Sequence, residues 1–107
     1  MCDMLTRHGY EILRRNFTVR GGEIDIIARK GEVVCFVEVK SRKQGSLEAG
    51  EEAINKTKRE RIIRTAQRFL LTLQDDPRCR FDAAVVTLDK GKASHIKYYP
   101  GAFDASR

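Results

Sequence analysis

Gly21-Gly22-Glu23-Ile24-Asp25-Ile26-Ile27-Ala28 and, a few residues later, Val34-Cys35-Phe36-Val37-Glu38-Val39-Lys40 decide the fold of this chain. Both runs are dominated by β-branched and other apolar residues, the composition of strands. The glycine between them predicts a tight hairpin at Lys30-Gly31. Each run also carries charge inside an apolar stretch, and an isolated buried charge needs a partner or a metal. The side chains at issue are Glu23, Asp25, Glu38 and Lys40.

Strand side chains alternate between faces, so Glu23, Asp25 and Ile27 are expected on one side and Phe36, Glu38 and Lys40 on one side. If the hairpin closes through Lys30-Gly31, Arg29 pairs with Glu32, Asp25 with Phe36 and Glu23 with Glu38. All four polar side chains then share a face, with Asp25 diagonal to Glu38. A slip of one residue would send one set to the opposite face. Like charges placed opposite one another repel, and three converging carboxylates make sense around a hard cation. Mg2+ (or Mn2+) takes oxygen ligands, commonly one or two carboxylates with water and substrate phosphate. Asp25 and Glu38 are the expected metal ligands, joined by the backbone carbonyl of Val39. Lys40 is expected to orient or deprotonate the attacking water, and Glu23 to hold a second ion or tune the first. The plain alternative is a surface salt bridge between Glu23 and Lys40 on a solvated sheet face.

Outward from this hairpin, residues 1–8 read as the end of a helix closed by Gly9, and Tyr10–Val19 as a strand. Gly21-Gly22 marks a turn or a place where backbone meets another element closely. Ser41–Gly50 is polar and reads as a mobile loop. A helix follows from an N-cap at Asn55 to about Gln74. Its Ile62, Ala66, Phe69, Leu70 and Leu73 form one buried stripe, and Asp75-Asp76-Pro77 ends it. Phe81–Leu88 reads as a strand covered on both faces, Asp89-Lys90-Gly91-Lys92 as a hairpin turn, and Ser94–Tyr99 as an edge strand. The order is αβββαββ, an α/β fold with a sheet flanked by helices, in a single domain spanning residues 1–107.

The chain has 107 residues, of which 41% are hydrophobic and 34% charged, values of a globular domain rather than a disordered one. Its longest apolar run is far short of a membrane span, and its first residues do not read as a secretory signal. Cys2, Cys35 and Cys79 are odd in number and widely spaced, so neither a disulfide framework nor a thiolate metal site is expected. Cys35 and Cys79 are expected to pack as small apolar residues, and a reducing, cytoplasmic setting follows. The net charge of +6 points to an acidic partner, of which nucleic acid is the commonest. Lys56, Lys58, Arg59, Arg61, Arg64 and Arg68 crowd the helix away from its apolar stripe. Arg42 and Lys43 extend the positive rim beyond Lys40. These residues are the expected contacts to a phosphate backbone, against the alternative of an ordinary solvated face. With no tryptophan and no aromatic platform for single strands, recognition of duplex or junction shape suits the chain better. His8 and His95 lack ligand spacing, and Asp82 reads as a hydrogen-bonding residue rather than a catalyst.

Gly9-Tyr10-Glu11-Ile12-Leu13-Arg14-Arg15-Asn16, Gly22-Glu23-Ile24-Asp25-Ile26-Ile27-Ala28 and Phe36-Val37-Glu38-Val39-Lys40 resemble the signatures of the YraN family, also called UPF0102. That family is similar to the PD-(D/E)XK nucleases and, among them, to archaeal Holliday junction resolvases. The resemblance runs from Gly9 to about Ile96 and implies a restriction-endonuclease-like core, a mixed β-sheet flanked by helices. It also implies that Asp25, Glu38 and Lys40 match the metal-binding and catalytic motif, with Glu23 an accessory acid. The chain departs from the family at its first helix, which in relatives begins further upstream and often carries a glutamate directed at the metal. Lys58 matches a recurring lysine, whereas Arg59 stands where glutamine is commoner. The expected function is Mg2+-dependent hydrolysis of DNA phosphodiesters, with branched DNA a candidate substrate. The alternative is a non-catalytic nucleic-acid-binding module on the same fold. By analogy with resolvases, a homodimer is expected.

Overall fold

The computed structural model describes residues 1–43 and 55–104. Its elements are α1 (Cys2–Arg7), β1 (Glu11–Val19), β2 (Gly22–Lys30), β3 (Val33–Lys43), α2 (Lys56–Leu70), β4 (Arg78–Asp89) and β5 (Lys92–Phe103). The strands form one five-stranded sheet in the order β1-β2-β3-β4-β5. Neighbours are antiparallel except β3 and β4, which run parallel from Val33↔Arg78 to Lys43↔Leu88. A parallel pair needs a crossover, and α2 lies in that crossover.

Two apolar clusters sandwich the sheet. On one face Ile62, Ala66 and Phe69 of α2 pack on Ile24, Ile27, Val34, Phe36, Phe81 and Ala83. The expected stripe is therefore the buried one, with Leu70 and Leu73 half-buried at its end. On the other face Leu5 of α1 packs with Ile26, Ala28, Cys35, Val37 and Ala84. Asn55 caps α2, its side-chain oxygen accepting from the Lys58 N–H at 2.9 Å. No helix among the described residues is long and apolar enough to cross a membrane.

Several expected boundaries move. The β2–β3 hairpin closes through Gly31-Glu32, so Lys30 pairs with Val33 and Arg29 with Val34 rather than Glu32. Gly31 takes the first turn position at φ 60°, where a left-handed backbone favours glycine. β3 runs on to Lys43 because β4 offers it pairing throughout, so Ser41–Lys43 is strand rather than loop. The rest of the expected loop, residues 44–50, lies outside the described residues. α2 stops at Leu70, four residues early. β5 is twice its expected length, running through Pro100, which an edge strand tolerates because its outward N–H needs no partner. Cys35 is buried as expected, but Cys79 is exposed.

Gly22 explains the glycine pair. A Cβ added there would lie 2.0 Å from Thr65 Oγ1 and 3.2 Å from the Arg61 carbonyl oxygen of α2. The absent side chain lets the helix settle directly on the start of β2.

Behind the sheet, Asp82 is fully buried on β4. It accepts two bonds from the Arg80 guanidinium, at 2.8 and 2.9 Å, one from the Gly101 N–H at 2.9 Å, and one from the Tyr98 hydroxyl. Arg80 also donates to Tyr10 at 2.8 Å. A buried carboxylate with this many donors is satisfied, and Asp82 is the hydrogen-bonding residue that its position suggested. Burial, with the nearby Asp82 charge, pushes the Cys35 thiol up to about 11, which leaves it protonated and unreactive.

Candidate active site

β2 and β3 pair as far as Ile26↔Val37 and then part. Asp25 stands at the parting. Counting on from the last rung places it opposite Glu38, not opposite Phe36 as the sequence register had it. Its Oδ2 accepts the Val39 N–H at 2.8 Å, so a side chain takes over where backbone pairing stops. Alternation also breaks here. Ile27 and Ile24 both face α2, while Ile26, only two residues from Ile24, packs with α1. Across the sheet from this break, Asn16 of β1 adopts a left-handed φ of 51°, a conformation that asparagine tolerates better than most residues. Asp25 consequently lines depressions on both sides of the sheet.

The expectation that four polar side chains share one face is corrected by this break. Asp25 and Glu38 are brought together, close enough that Asp25 raises the Glu38 carboxyl, and both line one cavity. Gly22 and Ile24 both meet α2, so alternation turns the exposed Glu23 away from the pair, although it still contributes to the cavity wall. Among the described residues, no three histidine, cysteine or acidic side chains cluster as a metal site. Lys40 is half-buried on the Glu38 side of β3, but it does not line the cavity that holds the acidic pair.

The ammonium beside Glu38 comes instead from α2, where Lys58 Nζ lies 3.4 Å from Glu38 Oε1. The Glu38 side chain retains only 11% of its exposure. Burial pushes its carboxyl up to about 7, the hydrogen bond and charge of Asp25 add to the rise, and Lys58 opposes it. Glu38 is therefore partly protonated near neutrality, because burial and the adjacent Asp25 charge both disfavour its ionised form.

This pair opens into a cavity of about 950 Å³ between the β1–β2 turn and α2. Lys58, Arg61 and Arg64 supply its basic wall. Of the other basic residues singled out in the sequence, Lys56 is exposed but outside this wall. Arg59 is half-buried, with its Nε shielded and unpartnered, because it falls three residues before Ile62 on the inward stripe rather than the outer face. Arg42 is half-buried near the end of β3 and Lys43 lines a separate depression with Leu88 and Lys90, so neither borders the acidic pair. His8, whose Nδ1 lies 2.8 Å from the Met4 carbonyl oxygen, and His95 are exposed and remote from the site.

The donor set fits a hard divalent cation. Asp25, oriented by a backbone N–H, and the adjacent Glu38 could supply two carboxylate oxygens of the kind that Mg2+ takes alongside water and phosphate.

A family model described as "Uncharacterised protein family UPF0102" matches residues 1–86 of the chain. Among similar proteins, a UPF0102 protein of Chlorobium phaeobacteroides is 43% identical over 98 residues, covering 89% of this chain and 76% of the relative. One from Geobacter metallireducens is 41% identical over 101 residues, covering 94% and 82%. One from Chlorobium limicola is 44% identical over 100 residues, covering 91% and 76%.

Proposed function

The chain belongs to the UPF0102 family, and from the chemistry of its cleft we propose that it is a divalent-metal-dependent phosphodiesterase acting on nucleic acid, built on a restriction-endonuclease-like core. The observation that carries this reading is the Asp25–Glu38 pair. Both carboxyls line one cavity, and Lys58, Arg61 and Arg64 wall it on the side of α2.

Asp25 and Glu38 would hold Mg2+ or Mn2+, and the Val39 carbonyl is the candidate third oxygen. When bound, the ion would activate water and stabilise charge developing on the phosphoryl group. The Val39 N–H fixes the Asp25 carboxylate through its Oδ2, beside Glu38 in the cleft. Glu38 must give up its proton on cation binding, and its raised pKa makes that release a measurable part of the event. Lys58 neutralises Glu38 and can swing to the non-bridging oxygens of a phosphate, or orient the attacking water. In this reading Lys58 supplies the charge that the sequence motif assigned to Lys40, whose role becomes support from the same sheet face. Arg61 and Arg64 contact the backbone on either side. DNA is the expected nucleic acid, and its branched forms are the candidate substrates.

The test is cleavage of labelled junction, nicked and linear DNA in Mg2+ or Mn2+. The native chain should cut at least one of them, and Asp25→Asn should abolish cutting while sparing binding. Calorimetric titration with Mn2+ adds a second arm, because Asp25→Asn and Glu38→Gln should both remove the binding heat. Binding that is strongly salt-dependent, without cutting and with unchanged heats in both variants, would instead identify a non-catalytic binding module.

A further inference from the structure

A second cavity, of about 500 Å³, adjoins the first and shares Val19, Gly21 and Arg64 with it. Its remaining charged walls are Arg68 on α2 and Arg20 in the β1–β2 turn, and the exposed Leu71 closes its far end. Lys58, Arg61, Arg64, Arg68 and Leu71 follow one another at spacings of three or four residues, which places them along one side of the helix. Arg20 faces this row from the opposite bank. Neither Arg29–Asp75 nor Lys58–Glu38 nor Arg80–Asp82, the ion pairs seen among the described residues, involves Arg20, Arg61, Arg64 or Arg68. Three exposed guanidinium groups, Arg20, Arg64 and Arg68, line the second cavity, and among the described residues no acidic side chain shares its walls, whereas Arg61 lies on the first cavity with the acidic pair. Leu71 retains 83% of its exposure as a large apolar side chain.

We propose that the two cavities form one groove, in which the second seats the sugar-phosphate backbone of a single nucleic-acid strand leading away from the acidic pair. The proposal rests on the nucleic-acid reading above, and it adds a direction and a length. From Lys58 to Leu71 the helix rises about 20 Å at 1.5 Å per residue. A strand of duplex advances 3.4 Å per phosphate along the helix axis, and its winding backbone places successive phosphates farther apart than that, so the groove spans fewer than about six nucleotides on one side of the reacting phosphate. Guanidinium groups on both banks match phosphate oxygens, and Val19 and Leu71 offer apolar surface to the sugars between them. Among the described residues no aromatic side chain lines the groove to stack unpaired bases, which favours a strand that enters as part of a duplex arm.

The experiment is fluorescence anisotropy of a labelled 30-base-pair duplex against salt, in EDTA so that the acidic pair plays no part. Arg20→Ala and Arg68→Ala should each lower the slope of log affinity against log salt by about 0.9, and the double variant by about twice that. Arg68→Lys should restore most of it. Lys97→Ala, on β5 against the Tyr99 ring, should leave the slope unchanged. Equal losses from Lys97→Ala would mean diffuse attraction to a basic chain, and unchanged slopes in the arginine variants would mean that the strand runs elsewhere. Either result overturns the groove, as does a native chain that fails to bind duplex. Loss of slope without any metal-dependent cutting would keep the groove and refute only the hydrolytic reading.

Discussion

Replacing Gly22 with alanine tests how the site is assembled. The added methyl would sit 2.0 Å from Thr65 Oγ1 and 3.2 Å from the Arg61 carbonyl oxygen. The first distance falls about 1.5 Å short of ordinary van der Waals separation. The hydroxyl cannot swing aside freely, because it donates to that same Arg61 carbonyl at 2.7 Å. α2 must therefore lift from β2, loosening Ile62 and Ala66 in the core. Overpacking of this kind costs about 1–3 kcal/mol, and for a domain of this size each kcal/mol moves Tm by about 4–8 °C. Thr65→Ala removes the nearest atom but leaves the carbonyl contact, so Gly22→Ala/Thr65→Ala should regain more than half of the loss. The double-mutant cycle should show a coupling of about 1 kcal/mol or more. Urea denaturation of the four proteins measures it. A Gly22→Ala variant within about 0.5 kcal/mol of the parent would refute the tight seat. An additive cycle would show that the strain lies against backbone instead.

Glu38 governs a pH dependence with a definite sign. Its folded carboxyl is raised from 4.5 to about 7, so the folded state takes up a proton that the unfolded chain has already released. The stabilisation is full below about pH 4.5 and is lost as pH rises through about 7, and Glu38→Gln should flatten that decline in urea midpoints between pH 5 and 8. Asp82→Ala should cost about 3–5 kcal/mol in denaturation, because it strands the buried end of Arg80 and removes the partner of Tyr98 and the Gly101 N–H. Lys90 holds a left-handed φ of 53° in the β4–β5 turn. Lys90→Asn should therefore raise stability by about 0.5–1 kcal/mol, read as a higher thermal midpoint, and a lowered midpoint would contradict the turn geometry.

The β2 and β3 runs and the Ile62–Ala66–Phe69 stripe were legible because both follow a period, and burial enforces that period. The hairpin register was not. Only the identity of the residue taking the left-handed position decides between Lys30-Gly31 and Gly31-Glu32, and both turns look alike in a string of letters. That shift of two preserved parity, so Asp25 and Glu38 still met. The break in alternation at Asp25 escaped for a deeper reason. It depends on Asn16 and on the end of pairing with β3, which are contacts between segments rather than properties of either one. Lys58 was legible as a basic residue but not as the partner of Glu38, since their meeting is decided by how closely Gly22 lets the helix approach. The spacing of Arg61, Arg64 and Arg68 was visible, whereas Arg20 joins them only through the fold of the β1–β2 turn.

The parallel pairing of β3 with β4 also sets an order of assembly. Asp25 and Glu38 belong to one hairpin, whose closure spans few residues and takes microseconds. Lys58 arrives only when the chain from Lys43 to Arg78 has looped back and the β3–β4 ladder has formed, a distant closure that slows folding. During synthesis and refolding, the two carboxyls thus come together before their counter-charge is in place. Charge balance at the pair is thus completed late, by the same docking of α2 that closes this face of the core.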